Sequence, residues 1–374
     1  MNSREIIQKM LDSADIKING ERPWDIQVHN EKLYDRILSK GTLGIGESYM
    51  DGWWDCEALD EMIYRVLRFS DRSFLSKNLT NLLLYLKSQF FNLQTKSEAK
   101  KVTNYHYDIS DDLYMSFLDP YSQYTCAYFK DTTDLNKAQE NKMDLICRKI
   151  QLKSTDRVLD LGCGWGGLAK WMAEKHGCRV IGINLAKGQV EYVQKHISNP
   201  LVEIINMDYR DVGNVLKGKF DKVVSIGMME HVGYKNYRKM LKIVRKYLKE
   251  DGIFLLHTIG GNNSVKSGNA WLNKYIFPNG MLPSVNQISR SCEGLFVLED
   301  WHNFGAYYDL TLMAWYKNFD KSWPKLKDRY SERFYRMFRY YLLLCAGSFR
   351  AREMELWQIV LSPKGVLGGY TAVR

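Results

Sequence analysis

Between residues 156 and 258 the apolar positions switch repeatedly between two patterns. Short apolar runs at 157–161, 179–184, 202–207, 222–227 and 253–258 predict buried strands, and three/four-spaced apolar positions over 168–176, 186–196 and 237–248 predict helices. Regular alternation of this kind predicts an α/β fold, a mostly parallel sheet with helices on both faces. The first 70 residues have a different texture. Ile6, Met10 and Leu11 have helical spacing, two more helices are predicted over 31–38 and 59–67, and Gly41, Gly44, Gly46 and Gly52 predict a turn-rich stretch ending at Trp53 and Trp54. Over 71–101, apolar residues at 75, 79, 82, 83, 86, 90 and 93 lie on one helix face. The chain therefore divides into a small mixed α/β accessory module (1–70), an amphipathic linker helix (71–103) and a catalytic domain (104–374).

Composition narrows the class. The 374 residues are 45% hydrophobic and 26% charged, which excludes a disordered or fibrous chain. Apolar runs reach only about five residues where a spanning helix needs about 20, and no signal-peptide core is present, so a cytoplasmic protein that does not cross a membrane is expected. Seven cysteines without a CxxC pair indicate reduced thiols, with neither a disulfide framework nor a CxxC zinc site. The net charge of +10 points to an anionic partner. It concentrates in 71–101 (net +4) and 321–352 (net +7), where it is interleaved with aromatic or aliphatic residues. Basic-plus-aromatic segments suit a phospholipid surface as well as a nucleic-acid groove.

The first predicted strand runs into Asp160-Leu161-Gly162-Cys163-Gly164-Trp165-Gly166-Gly167, a glycine turn that opens a helix. Its GxGxGG spacing departs from the dinucleotide GxGxxG, the second strand ends in Asn184-Leu185 without an acid, and no basic residue closes the loop as in a phosphate-binding GK[ST]. A nucleoside ligand without phosphate fits best. The loop resembles motif I of class I (Rossmann-like) S-adenosylmethionine (SAM) methyltransferases.

More specific stretches lie outside that loop: Asn104-Tyr105-His106-Tyr107-Asp108, Tyr124-Thr125-Cys126-Ala127-Tyr128-Phe129, Asp208-Tyr209-Arg210-Asp211, Met229-Glu230-His231-Val232-Gly233, Leu255-Leu256-His257-Thr258-Ile259-Gly260, Lys274 to Gly280 and Asp300 to Gly305. Together they resemble the bacterial cyclopropane-fatty-acyl-phospholipid synthases, relatives of the mycolic acid cyclopropane synthases. The likeness extends through the N-terminal module and the basic linker, which favours the phospholipid branch. It implies transfer of a methylene group from SAM to a cis double bond of an unsaturated phospholipid acyl chain, at the inner face of the cytoplasmic membrane, by a homodimer that has no nucleic-acid partner. An RNA or small-acceptor methyltransferase and a catalytically silent lipid-binding protein are the alternatives.

The resemblance also assigns residues. It implies a bound bicarbonate as base, held by Glu230, His257 and Tyr308 and by the backbone at Cys126 and Ile259. For SAM it implies Tyr124 and Thr125, the loop Leu159, Asp160, Gly162, Cys163, Gly164, Trp165, Gly166 and Gly167, then Asn184, Leu185 and Gln189, and Asp208 with Tyr209. Relatives often have Ser at the place of Thr125 and Thr at that of Asn184. Cys345 matches a thiol that some relatives have been described as using; an alkene nucleophile gives it no evident task, and a buried structural cysteine is expected. No metal site is expected.

Overall fold

The computed structural model describes residues 2–70, 94–96, 111–265 and 267–374. Most of the expected linker helix over 71–103, and the motif 104–108, lie outside the described residues. By internal contacts the chain forms two compact units. One comprises Met1–Asn92, Lys266–Gly280 and Tyr308–Met354; the other comprises Leu93–Val265, Met281–Tyr307 and Glu355–Arg374.

The first unit is mainly helical. Helix Ser3–Asp12 opens on a capping box, in which the Asn2 side chain accepts from the Glu5 N–H and the Glu5 carboxylate accepts from the Asn2 N–H. Two-residue strands β1 (Gln27–Val28) and β2 (Trp54–Asp55) pair antiparallel. The stretch expected to be turn-rich is instead the second half of one helix, Lys32–Met50, broken only at Gly41 (φ 56°, ψ −130°). Gly41 supplies a kink that an L-residue resists. Gly46 supplies room, because a Cβ there would overlap the indole of Trp271.

Part of the basic C-terminal segment is consumed inside this unit. From helix Glu332–Arg350, Arg333 pairs with Asp51, Arg336 with Asp55 and the Tyr49 carbonyl, and Arg339 with the Tyr49 hydroxyl and the Glu57 carbonyl. Arg350 holds Asp60, Glu61 and Asp309 together. Of the nine Lys and Arg residues over 321–352, four therefore serve the fold. Lys321, Lys325 and Lys327, at the end of helix Ala306–Leu326 and just beyond it, are exposed.

The second unit carries a seven-stranded sheet. Strands β3 (Arg157–Leu161), β4 (Arg179–Asn184), β5 (Val202–Asn206), β6 (Phe220–Ile226) and β7 (Leu248–Gly260) are parallel, in the order β5-β4-β3-β6-β7. Two strands that the hydrophobic pattern did not single out, β8 (Val297–Asn303) and β9 (Glu355–Ser362), extend it antiparallel as β7-β9-β8. The sheet is buried on both sides, so its inner strands are nearly all apolar. Val158, Val180, Val224, Leu255 and Val360 face a core that includes Met143, Ile146 and Cys147 of helix Leu135–Lys149. Leu159, Ile181, Val223, Phe254 and Ile359 face the core built on helix Tyr237–Tyr247. The fold is the mostly parallel α/β sheet, with helices on both faces, expected from the β–α alternation. The chain moves outward from β3 to β5 and returns to β6, so the loops leaving β3 and β6 diverge at a topological switch point, where α/β sheets bind ligands.

Candidate active site

The glycine loop leaves β3 at that switch point. Gly162, Gly164 and Gly166 all have positive φ (81°, 54° and 74°), and the N–H groups of Gly162 and Cys163 both donate to the Ile183 carbonyl. A Cβ on Gly164 would meet no described residue beyond its chain neighbours within 4 Å, whereas one on Gly167 would overlap the Tyr121 carbonyl oxygen. Gly164 thus borders open space and Gly167 is a packing residue at the first turn of helix Gly167–His176. Asn184, at the end of β4, donates its amide to the Gly164 carbonyl (3.1 Å) and to Gln189 Oε1 (2.7 Å). It pins the loop rather than offering a free side chain. Leu185 lends its carbonyl to Asn206 (3.2 Å). Trp165 donates to Asp111 (3.1 Å) and packs against Tyr114, which also packs on Tyr124. Asp208 accepts two bonds from the Arg210 guanidinium (2.7 and 2.6 Å), which hold its carboxyl below the usual range against the opposing effect of burial. Tyr209 follows in the same 3₁₀ turn, its hydroxyl pushed up to about 12 by burial.

Beneath the loop lies a buried polar layer. Asp160 is 2% exposed and burial raises its pKa to about 7, with the Lys142 ammonium pulling the other way. Cys163 is buried, and its thiol is pushed well up by desolvation. Lys142 is completely buried; its Nζ donates to Gln123 Oε1 (2.6 Å) and Thr125 Oγ1 (2.9 Å), and desolvation lowers its pKa to about 8. Gln139, one turn earlier, donates to the Thr125 carbonyl (2.9 Å). The segment carrying Tyr124, Thr125 and Cys126 is therefore held down by two side chains of helix Leu135–Lys149 that were missed in the sequence. The available signal was Gln139, Lys142 and Lys149 recurring on the same helix face as Ala138, Met143 and Ile146.

Glu230 and His257 stand at the ends of β6 and β7. Glu230, in the short helix Met229–Val232, accepts the Ile259 N–H through Oε1 (2.6 Å), while its Oε2 is buried without a partner among the described residues. Burial raises its pKa to about 7. The Ile259 N–H, expected at the bicarbonate, is thus committed to Glu230. His257 is 1% exposed, its Nε2 is also buried without a partner, and its pKa is driven well below the ordinary value by burial and then by Lys142 and Lys149. Cys126 is fully buried, with its Sγ near the Ala127 carbonyl. A buried acceptor and a buried ring nitrogen lacking partners represent unmet hydrogen-bonding capacity, which a small polar molecule would satisfy.

Tyr308 and Cys345 belong to the other compact unit. Tyr308 is buried and stacks on Phe349 (4.5 Å). Burial pushes the Cys345 thiol up to about 12, so it is protonated at neutral pH. Among the described residues no group of His, Cys, Asp and Glu could hold a metal ion.

The family described as mycolic acid cyclopropane synthetase matches residues 94–359. The Escherichia coli (strain K12) cyclopropane-fatty-acyl-phospholipid synthase is 49% identical over 373 residues, covering 100% of this chain and 96% of its own. A probable fatty acid methyltransferase of Pseudomonas putida is 34% identical over 71% of the chain and 69% of its own. Mycolic acid cyclopropane synthase CmaA1, solved with SAH and CTAB, superposes with a TM-score of 0.63 at 29% identity, covering 70% of this chain and 97% of that one. For the Mycobacterium tuberculosis cyclopropane synthase MmaA2 the TM-score is 0.64 at 28% identity, covering 72% and 99%.

Proposed function

The chain belongs to the mycolic acid cyclopropane synthetase family and is a SAM-dependent methyltransferase, and on that premise we propose that it cyclopropanates unsaturated phospholipid acyl chains. The observation that carries this reading is the unmet hydrogen-bonding capacity of two buried side chains, Glu230 just after β6, which adjoins the strand that feeds the glycine loop, and His257 on β7, the next strand.

The alkene is a weak nucleophile. Its π electrons attack the sulfonium methyl carbon, the C–S bond breaks with its electron pair going to sulfur, and a carbocation is left on the acyl chain. Loss of a proton from the transferred methyl then lets the C–H electrons form the second C–C bond and close the ring. Water would trap the cation as an alcohol, so the site must be dry. Gly162 to Gly166, Thr125, Gln189 and Asp208 are the residues we assign to SAM, with Asn184 and Arg210 holding loop and carboxylate in place. Tyr124 and Trp165 supply aromatic faces, which tolerate a nearby cation. Bicarbonate bound by Glu230 and His257, with the backbone at Cys126, would supply the base for the proton. Glu230 Oε2 would accept from its hydroxyl and His257 would donate to its oxygen.

The test is purified protein, SAM and vesicles of unsaturated phospholipid, with the acyl chains read by gas chromatography and mass spectrometry. The expected result is a gain of one methylene with loss of the double bond. A methylated chain without a ring, or no change of the lipid beside methylated RNA, would overturn the proposal.

We further propose a homodimer that docks electrostatically on the inner face of the cytoplasmic membrane. No described helix is long and apolar enough to cross a membrane. With Arg333, Arg336, Arg339 and Arg350 taken up internally, the candidate contacts from the C-terminal segment are Lys321, Lys325 and Lys327. Each lysine near an anionic surface is worth up to about 1 kcal/mol, so replacing all three by Glu should weaken binding to anionic vesicles by roughly 10²-fold or more at low salt. At about 1 M salt, where the Debye length is about 3 Å, wild type and variant should converge. Co-sedimentation that is equal for neutral and anionic vesicles would refute the electrostatic account.

A further inference from the structure

His257 has one side-chain hydrogen bond described for its ring. Gln358, its neighbour across the β7–β9 pairing, brings Nε2 to 3.3 Å from His257 Nδ1, and both residues are buried to about 1% exposure or less. An amide nitrogen donates and does not accept, so Nδ1 is the acceptor and carries no proton. Burial first, and then charged groups around the ring, keep it uncharged. Helix Leu135–Lys149 turns two buried ammonium groups, Lys142 and Lys149, toward this face of the sheet, and both oppose a positive charge on His257. On β8, His302 has its Nδ1 3.1 Å from Lys149 Nζ, and beyond the strand Phe304 meets the His257 ring edge to face at 6.0 Å. Asp160 shares the sheet face from β3, and Glu230 stands at the end of β6. A neutral imidazole holds one proton, and with Nδ1 excluded it sits on Nε2, the nitrogen left without a partner among the described residues.

We propose that Gln358 is a positioning residue that fixes His257 as the Nε2–H tautomer and so makes its free nitrogen a hydrogen-bond donor. The catalytic cycle needs this polarity. An anion held at Glu230 and His257 requires a donor from the ring, and the opposite tautomer would set two lone pairs against each other. That consequence rests on the function proposed above; the tautomer does not.

The experiment is nitrogen NMR of the full-length protein labelled with ¹⁵N-histidine, with the His257 signals identified by their loss in His257→Asn. The expected result is a protonated Nε2 and an unprotonated Nδ1 that stay so across about pH 6–8, the range in which an ordinary histidine changes charge. In Gln358→Glu a carboxylate replaces the amide donor, so Nδ1 should gain a proton, and turnover should fall about 10–100-fold, as when the outer partner of a working histidine is lost. The SAM dissociation constant should stay within about twofold, which a general loss of structure would not allow. A proton on Nδ1 in the wild type, or an unchanged tautomer in Gln358→Glu, would overturn the proposal. If the spectra are as expected but sodium bicarbonate leaves turnover unaffected, the tautomer stands and the bicarbonate reading falls.

Discussion

Glu230→Gln should lower turnover by about 10²–10⁴-fold, the usual worth of general-base catalysis, while making the protein more stable at alkaline pH. Both effects come from one carboxyl. Its Oε1 accepts the Ile259 N–H, its Oε2 is buried without a partner among the described residues, and burial raises its pKa from 4.5 to about 7. Below pH 4.5 the group is protonated in both folded and unfolded chains. Between 4.5 and about 7 the unfolded chain releases the proton and the folded one keeps it, so stability falls as pH rises. Above about 7 the folded protein carries a buried, under-satisfied anion. At about 1.36 kcal/mol per pKa unit the penalty is on the order of 3 kcal/mol, and glutamine removes it. Thermal melts of the two proteins should therefore separate at pH 8 and draw together as the pH is lowered. The SAM dissociation constant should not move. A variant that turns over within about threefold of wild type, or that melts lower at pH 8, would refute the role assigned to Glu230.

The parallel part of the fold was legible because burial on both faces writes each strand as an unbroken apolar run. Arg157–Leu161 and Arg179–Asn184 coincide with their predicted limits for that reason. Strand β8 was not legible. Its sequence, Val297 to Asn303, is half-exposed and mixes Glu299, Asp300 and His302 with apolar residues. The glycines at 41, 44 and 46 read as turns because composition cannot distinguish a glycine that bends the chain from one that admits a neighbour. Only the approach of Trp271, more than two hundred residues later, makes Gly46 a helix-packing position. Net charge misled in a similar way over 321–352. It counts arginines, whereas Arg336 and Arg350 are spent on acids at 55, 60, 61 and 309. In the site, the glycine loop, Glu230 and His257 were recognisable from motifs. Lys142 and Gln358 were not, because their importance lies in what they touch across the sheet and not in any local spacing.

The glycine loop provides the second large effect, and a comparison of two of its positions makes it decisive. Gly164 has φ 54°, and a Cβ there would meet no atom of the described residues, its chain neighbours apart, within 4 Å. The first carbon of a valine at this position meets no neighbour among the described residues. It is strained by the left-handed backbone, at about 1–2 kcal/mol, which a domain of ordinary stability survives. Its isopropyl group would fill the space in which a nucleoside has to approach the backbone, so SAM affinity should fall at least about 100-fold, close to 3 kcal/mol. Gly167 should behave differently. Its Cβ would overlap the Tyr121 carbonyl oxygen and crowd the Gln123 amide, which also braces Lys142. Backbone cannot give way as a flexible side chain does, so Gly167→Val should destabilise the whole second unit by several kcal/mol and lower SAM binding only through unfolding. Calorimetric titration with SAM, paired with thermal melts, separates the two cases. A Gly164→Val protein that binds SAM with the native dissociation constant would mean that the loop faces something other than the cofactor, and the assignment of Gly162 to Gly166 would have to be withdrawn.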